Sequence, residues 1–184
     1  MEEKVREKIG QSYVELVRGD ITAQETEAVV NAANLKLAPG GGVAGAIHRA
    51  AGPDLWKECK KLGGCRTGEA KITKGYNLKT PYIIHTVGPI YSGSRSDPEL
   101  LKACYLNSLK LASEKGIKSI SFPALSTGFF GYPAREAAQI ALRTVVDFLK
   151  SHSQIELIRF VLWGRESFVI HKRMLEELLE QPEN

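Results

Sequence analysis

The chain alternates between two apolar patterns, and this order restricts the fold more than any single motif does. Short runs rich in β-branched residues predict strands at Tyr13–Arg18, Ala28–Ala32, Glu69–Lys74, Tyr82–Val87, Ser119–Pro123 and Leu157–Leu162. Apolar residues at helical spacing predict helices at about Val43–Ala51, Leu55–Leu62, Asp97–Lys115, Pro133–Lys150 and Phe168–Glu180. This order is typical of a three-layer α/β domain with a largely parallel sheet, whose ligand site lies beyond the carboxyl ends of the central strands.

Length and composition indicate one globular domain. The 184 residues fit a single domain over 1–184, in which residues 1–10 are expected to be a frayed N-terminal extension and residues 181–184 a tail. Hydrophobic residues make up 43% and charged residues 25%, which excludes a disordered or fibrous chain. No apolar run approaches the roughly 20 residues that span a bilayer, and residues 1–8 do not resemble a secretory signal. We therefore expect a soluble, cytoplasmic protein with no membrane partner.

The cysteines and the net charge limit the kinds of site. The odd number of cysteines, Cys59, Cys65 and Cys104, lacks C-x-x-C spacing and a nearby histidine pair, so it predicts reduced thiols and no metal site. The net charge of +4 is not concentrated in any run of five basic residues. A small anionic ligand fits this balance, and nucleic acid is not required.

Two glycine-rich segments each leave a predicted strand and enter a predicted helix. The first glycine loop runs from Asn31 to Gly45, and the second glycine loop runs from Pro123 to Pro133. Glycines allow close approach of the backbone, and a helix N-terminus presents free N–H groups with a positive dipole end. Tight turns would use the same residue types, but two such loops after separate strands favour a diphosphate held between them.

A dinucleotide-binding oxidoreductase is an alternative, because Gly40, Gly42 and Gly45 match the pattern G-x-G-x-x-G. The context is unfavourable, since residues 35–39 separate the glycines from the strand and no strand ending in an acidic residue follows about 20 positions later. The chain has no P-loop, no nucleophile elbow around Ser126 and no H-E-x-x-H. Any chemistry must therefore depend on positioned water and the ligand's own groups.

Polar and aromatic residues near the predicted strand ends are candidate ligand contacts. Asp20 follows the first strand and is either the N-cap of a short turn or an acceptor for the exocyclic amine of adenine, two roles that can coexist. Asn31 and Asn34 offer donors and acceptors beside the first glycine loop, and Asn34, which precedes no immediate tight turn, is a candidate to bind a sugar hydroxyl. Trp163 is a core or rim aromatic, or stacks on a base.

The two histidines near these loops are not candidate ligand contacts. His48 lies about one turn into a predicted helix and His85 lies inside a predicted strand. Both are interpreted as structural residues rather than as catalytic groups.

Five motifs occur in an order that resembles the macrodomain family. They are Gly19-Asp20-Ile21-Thr22, Val30-Asn31-Ala32-Ala33-Asn34, Gly40-Gly41-Gly42-Val43-Ala44-Gly45-Ala46-Ile47, His85-Thr86-Val87-Gly88-Pro89 and Ser126-Thr127-Gly128-Phe129-Phe130-Gly131. The resemblance spans Tyr13 to about Met174. It implies a three-layer α/β/α sandwich with a mixed, largely parallel central sheet that binds ADP-ribose. Some members remove mono-ADP-ribose from acidic side chains or deacetylate O-acetyl-ADP-ribose.

The resemblance also implies a role for each matching residue. Asp20 receives the adenine amine, Ile21 lines the adenine pocket, and Trp163 occupies the position of an aromatic residue over the adenine. The diphosphate set comprises Gly42, Val43, Ala44, Gly45 and Ile47 in the first glycine loop and Ser126, Thr127, Gly128, Phe129 and Phe130 in the second. Asn34 binds the distal ribose beside Gly40 and Gly41, and Phe130 packs against the same sugar.

Catalysis would rest on four of these positions and on no cofactor or metal. Asn34 would orient the sugar, Gly41 and Gly42 would admit water, and Phe130 would fix the ribose. The best-described hydrolytic subgroup has Asp where this chain has Ala44, so the side-chain base is missing here. The expected function is hydrolysis of mono-ADP-ribosyl esters on Asp or Glu, of O-acetyl-ADP-ribose, or of both. The expected partners are ADP-ribose, O-acetyl-ADP-ribose and mono-ADP-ribosylated proteins, and the alternative function is a non-catalytic ADP-ribose reader.

Overall fold

A seven-stranded sheet organises the chain in the computed structural model, which describes residues 3–182. The strands are β1 Lys4–Ile9, β2 Ser12–Arg18, β3 Ala28–Ala32, β4 Ala70–Lys74, β5 Tyr82–Thr86, β6 Ser119–Phe122 and β7 Leu157–Leu162. The helices are α1 Gly42–Ala51, α2 Pro53–Lys61, α3 Asp97–Glu114, α4 Ala134–Ser151 and α5 Arg165–Glu180. A 3₁₀ turn, Ile21–Ala23, lies between β2 and β3.

The order of the strands in the sheet is β1-β2-β7-β6-β3-β5-β4. The five central strands are parallel, whereas β1 and β4 are antiparallel to their neighbours. The sheet is therefore mixed and largely parallel, as predicted. Because parallel strands end at the same edge, the loops that follow β2, β7, β6, β3 and β5 all lie at one edge of the sheet.

Apolar residues on the two faces of the sheet form two separate cores. Neighbouring residues of a strand point to opposite faces, so Val29 packs in the cluster of α1 and α2 while Val30 packs in the cluster of α3, α4 and α5. Both side chains are fully buried. Helices on both faces of the sheet confirm the predicted three-layer α/β/α sandwich.

The N-terminal segment differs from the prediction. Residues 4–9 of the stretch expected to fray form β1, which pairs with β2 from Lys4↔Val17 to Ile9↔Ser12. An edge strand has one neighbour, and in β1 only Ile9 is buried, so its sequence carries little apolar signal. The first two residues of the expected extension, and residues 183–184 of the expected tail, lie outside the described residues.

The N-terminal strand also completes a buried ion-pair network around Glu15. Glu15 is 1% exposed and lies 2.8 Å from Arg159, with Lys4 and Arg6 each at 3.4 Å. Burial alone would raise the pKa of Glu15, but the bonds and charges of Arg159 and Lys4 lower it below the usual carboxyl value. The ionised carboxylate therefore stabilises the junction of β1, β2 and β7.

A smaller difference from the prediction concerns the start of a helix. Helix α5 begins at Arg165 rather than at Phe168 because Gly164 is the N-cap, with extended φ and ψ of −117° and 160°. Within residues 3–182, no helix has the length and apolar character that crossing a membrane requires.

Candidate functional site

The two glycine loops lie side by side because they follow neighbouring strands. Strands β3 and β6 pair in parallel through Ala28↔Ile120 and Val29↔Ser121. A Cβ atom placed on Gly41 would lie 3.9 Å from Phe129 Cε2, which is van der Waals contact, so the two loops lie next to each other. The sequence predicts a diphosphate held between the two loops, which requires their strands to be neighbours. In the sheet, β3 and β6 are neighbours.

Asn34 closes the first glycine loop with its own side chain. Its Nδ2 donates to the Ala38 carbonyl at 2.9 Å, and its Oδ1 accepts from the Ala38 N–H at 2.9 Å. The Leu37 N–H donates to the Asn34 carbonyl at 3.0 Å, and Leu37 has a left-handed φ of 57°. The expectation that Asn34 precedes no tight turn is therefore wrong. One Nδ2 hydrogen and one Oδ1 lone pair remain free for a ligand.

Helix α1 presents an open N-terminus at the end of this loop. Gly41 is the N-cap, and among residues 3–182 no side chain caps the helix, so the first backbone N–H groups stay available. Gly42 has a φ of 54°, a conformation that side-chain-bearing residues rarely adopt. A Cβ on Gly45 would overlap the Gly40 carbonyl oxygen, so the absence of a side chain there lets Gly40 pack on the helix. The positive end of the helix dipole therefore points at the gap between the loops.

The second glycine loop presents further N–H groups to the same gap. Within residues 3–182, the backbone N–H groups of Thr127, Gly128, Phe129 and Phe130 donate no hydrogen bond. A hydrogen bond between its two ends fixes the loop, since the Tyr132 N–H donates to the Ser126 carbonyl at 2.9 Å. Successive free N–H groups form an anion-binding concavity.

Ser126 ties the second glycine loop to the segment after β5. It is buried, has a left-handed φ of 67°, and donates its hydroxyl to the Pro89 carbonyl at 2.9 Å. A Cβ on Gly88 would overlap Ser126 Oγ, so only glycine permits this close approach. The Tyr91 N–H also donates to the Phe130 carbonyl at 2.8 Å. Phe130 is thus positioned by Tyr91, which lies 39 residues before it.

Asp20 and Trp163 form the far end of the site, next to β2 and β7. These strands pair in parallel up to Arg18↔Leu162, so both residues follow the last paired positions. Asp20 Oδ1 accepts from the Thr22 N–H at 2.8 Å and from the Thr22 hydroxyl at 2.7 Å, which establishes the capping role. Within residues 3–182 the second carboxylate oxygen accepts no hydrogen bond, so it can accept from a ligand. Trp163 is 83% exposed and is available for stacking.

Several predicted contact residues lie below the surface of the site. Asn31 is 1% exposed and its Nδ2 lies 3.0 Å from His85 Nδ1, because the alternation of β3 turns it away from the loop. Ile47 is fully buried one turn inside α1, so its side chain does not reach the gap. Ile21 is 7% exposed and packs in the core cluster of α1 and α2.

The remaining predicted residues lie in the loops themselves. Gly40, Gly41, Gly42, Gly128 and Phe129 are exposed, Val43, Thr127 and Phe130 are partly buried, and Ala44 and Gly45 are buried in the first turns of α1. The structure thus brings most of the predicted phosphate set together.

His85 is a structural residue inside a hydrogen-bonded chain. Its Nε2 lies 2.9 Å from Thr73 Oγ1, opposite the bond to Asn31. Burial and the charge of His48 lower the pKa of His85 to about 3, so the ring stays neutral. His48 is 7% exposed and meets Trp56 edge to face. The interpretation of both histidines as structural matches these positions.

The cysteines are also buried. Cys59, Cys65 and Cys104 are free thiols, and burial raises the pKa of Cys59 and of Cys65 to about 11. Such thiols are poor nucleophiles at neutral pH. Across residues 3–182, no three His, Cys, Asp or Glu side chains cluster in a way that suits a metal ion.

A cleft of about 610 Å³ opens beyond Asn34 and Phe130, and sequence reasoning missed most of it. This distal cleft is lined by Asn34–Lys36, Ala38, Thr67, Val87–Ile90, Asp97, Leu100 and Phe130. The motif at Val87–Pro89 was visible in the sequence but carried no predicted role. Its position after β5, next to β3, places it at the same edge of the sheet.

Comparison with known proteins identifies relatives over almost the whole chain. A family model described as Macro domain matches residues 30–141. The human ADP-ribose glycohydrolase MACROD2 is 49% identical over 174 residues, which cover 93% of this chain and 41% of that protein. The O-acetyl-ADP-ribose deacetylase of Cronobacter sakazakii is 45% identical over 174 residues, which cover 92% of this chain and 97% of the other. The solved macrodomain of Oceanobacillus iheyensis with ADP has a TM-score of 0.95 and 42% identity, with 98% of each chain covered.

Proposed function

The chain belongs to the macro domain family, and from this membership we propose that it binds ADP-ribose and hydrolyses ADP-ribosyl esters. The substrates we propose are mono-ADP-ribosyl esters on Asp or Glu side chains, O-acetyl-ADP-ribose, or both. The names of the human and Cronobacter relatives support both the glycohydrolase and the deacetylase activity.

The observation that carries the proposal is the linear order of chemical groups along the sheet edge. Asp20 and Trp163 follow β2 and β7, the free N–H groups follow β6 and β3, and Asn34 follows β3 on the side of β5. The Asp20 carboxylate and the Trp163 ring suit adenine. The two sets of free N–H groups suit a diphosphate, and the Asn34 amide suits a ribose. Three strand spacings separate β2, which Asp20 follows, from β3, which Asn34 follows, roughly 14 Å at about 4.8 Å each, so the ligand must be elongated.

The diphosphate would lie between the α1 N-terminus and the N–H groups of residues 127–130. Both groups are preorganised by the fold, and charge-assisted hydrogen bonds of this kind contribute about 1.5–3 kcal/mol each. Gly41 and Phe129 lie close together, so both loops can reach one diphosphate with their backbone N–H groups. Binding would therefore depend mainly on backbone groups and little on charged side chains.

Turnover would depend on how Asn34 holds the distal ribose. Its side chain is fixed by two bonds to Ala38, so the remaining donor and acceptor have a defined direction toward a sugar hydroxyl. Phe130 would pack on the same sugar and exclude bulk water. One water molecule admitted beside Gly41 and Gly42 would cleave the ester, giving ADP-ribose and a carboxylic acid. The proton from that water would pass to a ligand phosphate, since Ala44 carries no base.

Time-dependent release of label tests the enzyme against the alternative of a non-catalytic reader. The wild-type protein is incubated with a protein that carries labelled mono-ADP-ribose on glutamate, and with O-acetyl-ADP-ribose. We expect release from at least one ester, and no release during long incubation would instead identify a reader. Calorimetry with ADP-ribose and NAD tests the oxidoreductase alternative, which requires NAD to bind more tightly.

Asn34→Ala separates binding from turnover. It leaves both phosphate cradles in place, so we expect a modest loss of ADP-ribose affinity, measured by calorimetry. Release should fall far more, because misplacing reacting atoms by about 1 Å can cost a hundredfold in rate. Release at the wild-type rate would contradict the role of Asn34. Loss of the Ala38 bonds should also lower the melting temperature by a few degrees, since a hydrogen bond contributes about 1 kcal/mol.

We also propose a cytoplasmic location and mono-ADP-ribosylated proteins as partners. Three free, buried thiols fit a reducing compartment. Cell fractionation tests the location, and capture on the Asn34→Ala variant tests the partners, because that variant should bind ADP-ribosylated proteins while releasing them slowly.

A further inference from the structure

The distal cleft extends the site past the ribose, and we propose that it holds the polypeptide around the modified residue. The occupant we infer is an apolar side chain in an acidic segment next to the ester-linked Asp or Glu. This inference rests on the proposed function, because it states which of the ester substrates the site is built for.

The volume of the distal cleft suits a peptide better than an acetyl group. Cavities that enclose drug-sized ligands measure about 300–1,000 Å³, and the distal cleft, at about 610 Å³, lies within this range. An acetyl group consists of a methyl and a carbonyl, so O-acetyl-ADP-ribose would leave most of the cleft filled with water. A peptide side chain with its backbone would occupy it.

The walls of the cleft are mainly apolar and reach the surface. Leu35 is 60% exposed and Ile90 is 67% exposed, while Pro89 and Val87 line the interior. Exposed apolar side chains grouped around a cleft are typical of an interaction site. An apolar side chain of a partner would bury Leu35 and Ile90 together.

The charges in the cleft favour an acidic partner. Asp97 is 4% exposed, and its carboxylate accepts from the Ser92 N–H at 2.8 Å and the Gly93 N–H at 3.0 Å. Lys36 is exposed and has no carboxylate partner within residues 3–182. The lining therefore presents a buried carboxylate that is already bonded to Ser92 and Gly93, and an exposed ammonium group that can meet a ligand. Acidic residues flanking the modified side chain complement Lys36.

The cleft is continuous with the proposed ribose site. Asn34 and Phe130 line the cleft and are also the residues that would hold the distal ribose. A carboxylic acid esterified to that ribose must leave the sugar between these two side chains. The polypeptide that carries it then enters the cleft directly.

Binding of a stable conjugate tests this inference without relying on turnover. The probe is a short peptide that carries ADP-ribose on a central glutamate through a hydrolysis-resistant linkage, with a neighbouring leucine and flanking aspartates. Calorimetry compares its affinity with that of free ADP-ribose in wild type, Ile90→Ser and Lys36→Glu. Leu179→Ser and Lys172→Glu, which change exposed residues of α5, are the matched controls.

We expect wild type to bind the conjugate about tenfold more tightly than ADP-ribose, a difference of about 1.4 kcal/mol. Ile90→Ser and Lys36→Glu should each lose most of this gain while keeping the affinity for ADP-ribose within about twofold. Lys36→Glu should recover the gain with a conjugate in which lysines replace the aspartates.

Three results would overturn the inference: no gain in wild type, a gain that both variants retain, or an equal gain for ADP-ribose attached to an oligonucleotide. Failure of the proposed hydrolysis gives a different result. The protein would then cleave no ester but would still bind the conjugate more tightly than ADP-ribose.

Discussion

Gly45→Ala tests whether the packing of helix α1 on Gly40 sets the position of the first phosphate cradle. The added Cβ would overlap the Gly40 carbonyl oxygen and lie 3.0 Å from Arg49 Nη1. The arginine end can rotate away, but the carbonyl belongs to the backbone of the loop. The loop must therefore move outward, and Gly41 and Gly42 must move with it.

The expected effect on binding is larger than the effect on stability. Overpacking costs about 1–3 kcal/mol, and alanine gains about 0.8–1 kcal/mol over glycine inside a helix. The net loss in the free energy of unfolding is therefore at most about 2 kcal/mol. Displacing the cradle by about the amount of the overlap removes at least one charge-assisted hydrogen bond, worth about 1.5–3 kcal/mol. ADP-ribose affinity should fall about tenfold to a hundredfold.

Calorimetric titration with ADP-ribose and a thermal melt measure the two effects on the same sample. Ala50→Gly is the matched control, because Ala50 is an exposed residue of the same helix and its loss costs about 0.5–1 kcal/mol without touching the loop. The control should melt lower and bind normally. An affinity of Gly45→Ala within twofold of wild type would refute the reasoning, since the Gly45–Gly40 contact would then not position the cradle.

Three further substitutions test other parts of the structure. Asp20→Ala removes the proposed acceptor for adenine, so ADP-ribose affinity should fall about tenfold or more; a much lower melting temperature with normal calorimetric affinity would leave Asp20 only its capping role. Ala44→Asp adds an acid to the first turn of α1, which the helix dipole favours by about 0.3–1 kcal/mol. Ester release should be unchanged or faster, and slower release at saturating substrate would contradict a base at that position. Glu15→Gln should destabilise the fold by about 1.5–3 kcal/mol, because it removes the charge from the hydrogen bond with Arg159. Because the pKa of Glu15 is lowered by folding, its contribution exists above the usual carboxyl pKa and disappears as pH falls through the lowered value. Chemical denaturation at several pH values should therefore show less acid sensitivity in the variant, and equal acid sensitivity in both proteins would contradict this account.

Most of the secondary structure of this protein can be predicted from local patterns in the sequence. The apolar runs of β3 and β7 and the amphipathic pattern of α4 predict those elements to within one or two residues. These signals are strong because each element buries one face, and burial sets the period of its apolar residues. Strand β1 lacks the signal because its pairing partner, and not an apolar face, stabilises it.

The candidate site was also only partly predictable from the sequence. The glycine positions and Asp20 were visible as motifs, since a loop that contacts phosphate requires glycine wherever the backbone must approach closely. The different surroundings of Asn31 and Asn34 were not visible, although the two residues lie three positions apart. Asn31 is still inside β3 and faces His85, whereas Asn34 has left the strand and closes a turn.

The sequence by itself determined the alternation of strands and helices, the two glycine loops and the family to which they belong, because all of these depend on neighbouring residues. Only the tertiary structure decided the order β2-β7-β6-β3-β5, which sets the proposed adenine, phosphate and ribose contacts in one line. It also decided the distal cleft, whose walls at Leu35, Ile90, Leu100 and Phe130 come from separate segments of the chain. Such a cleft has no local pattern, since its residues meet only after the sheet has brought the strand ends to one edge.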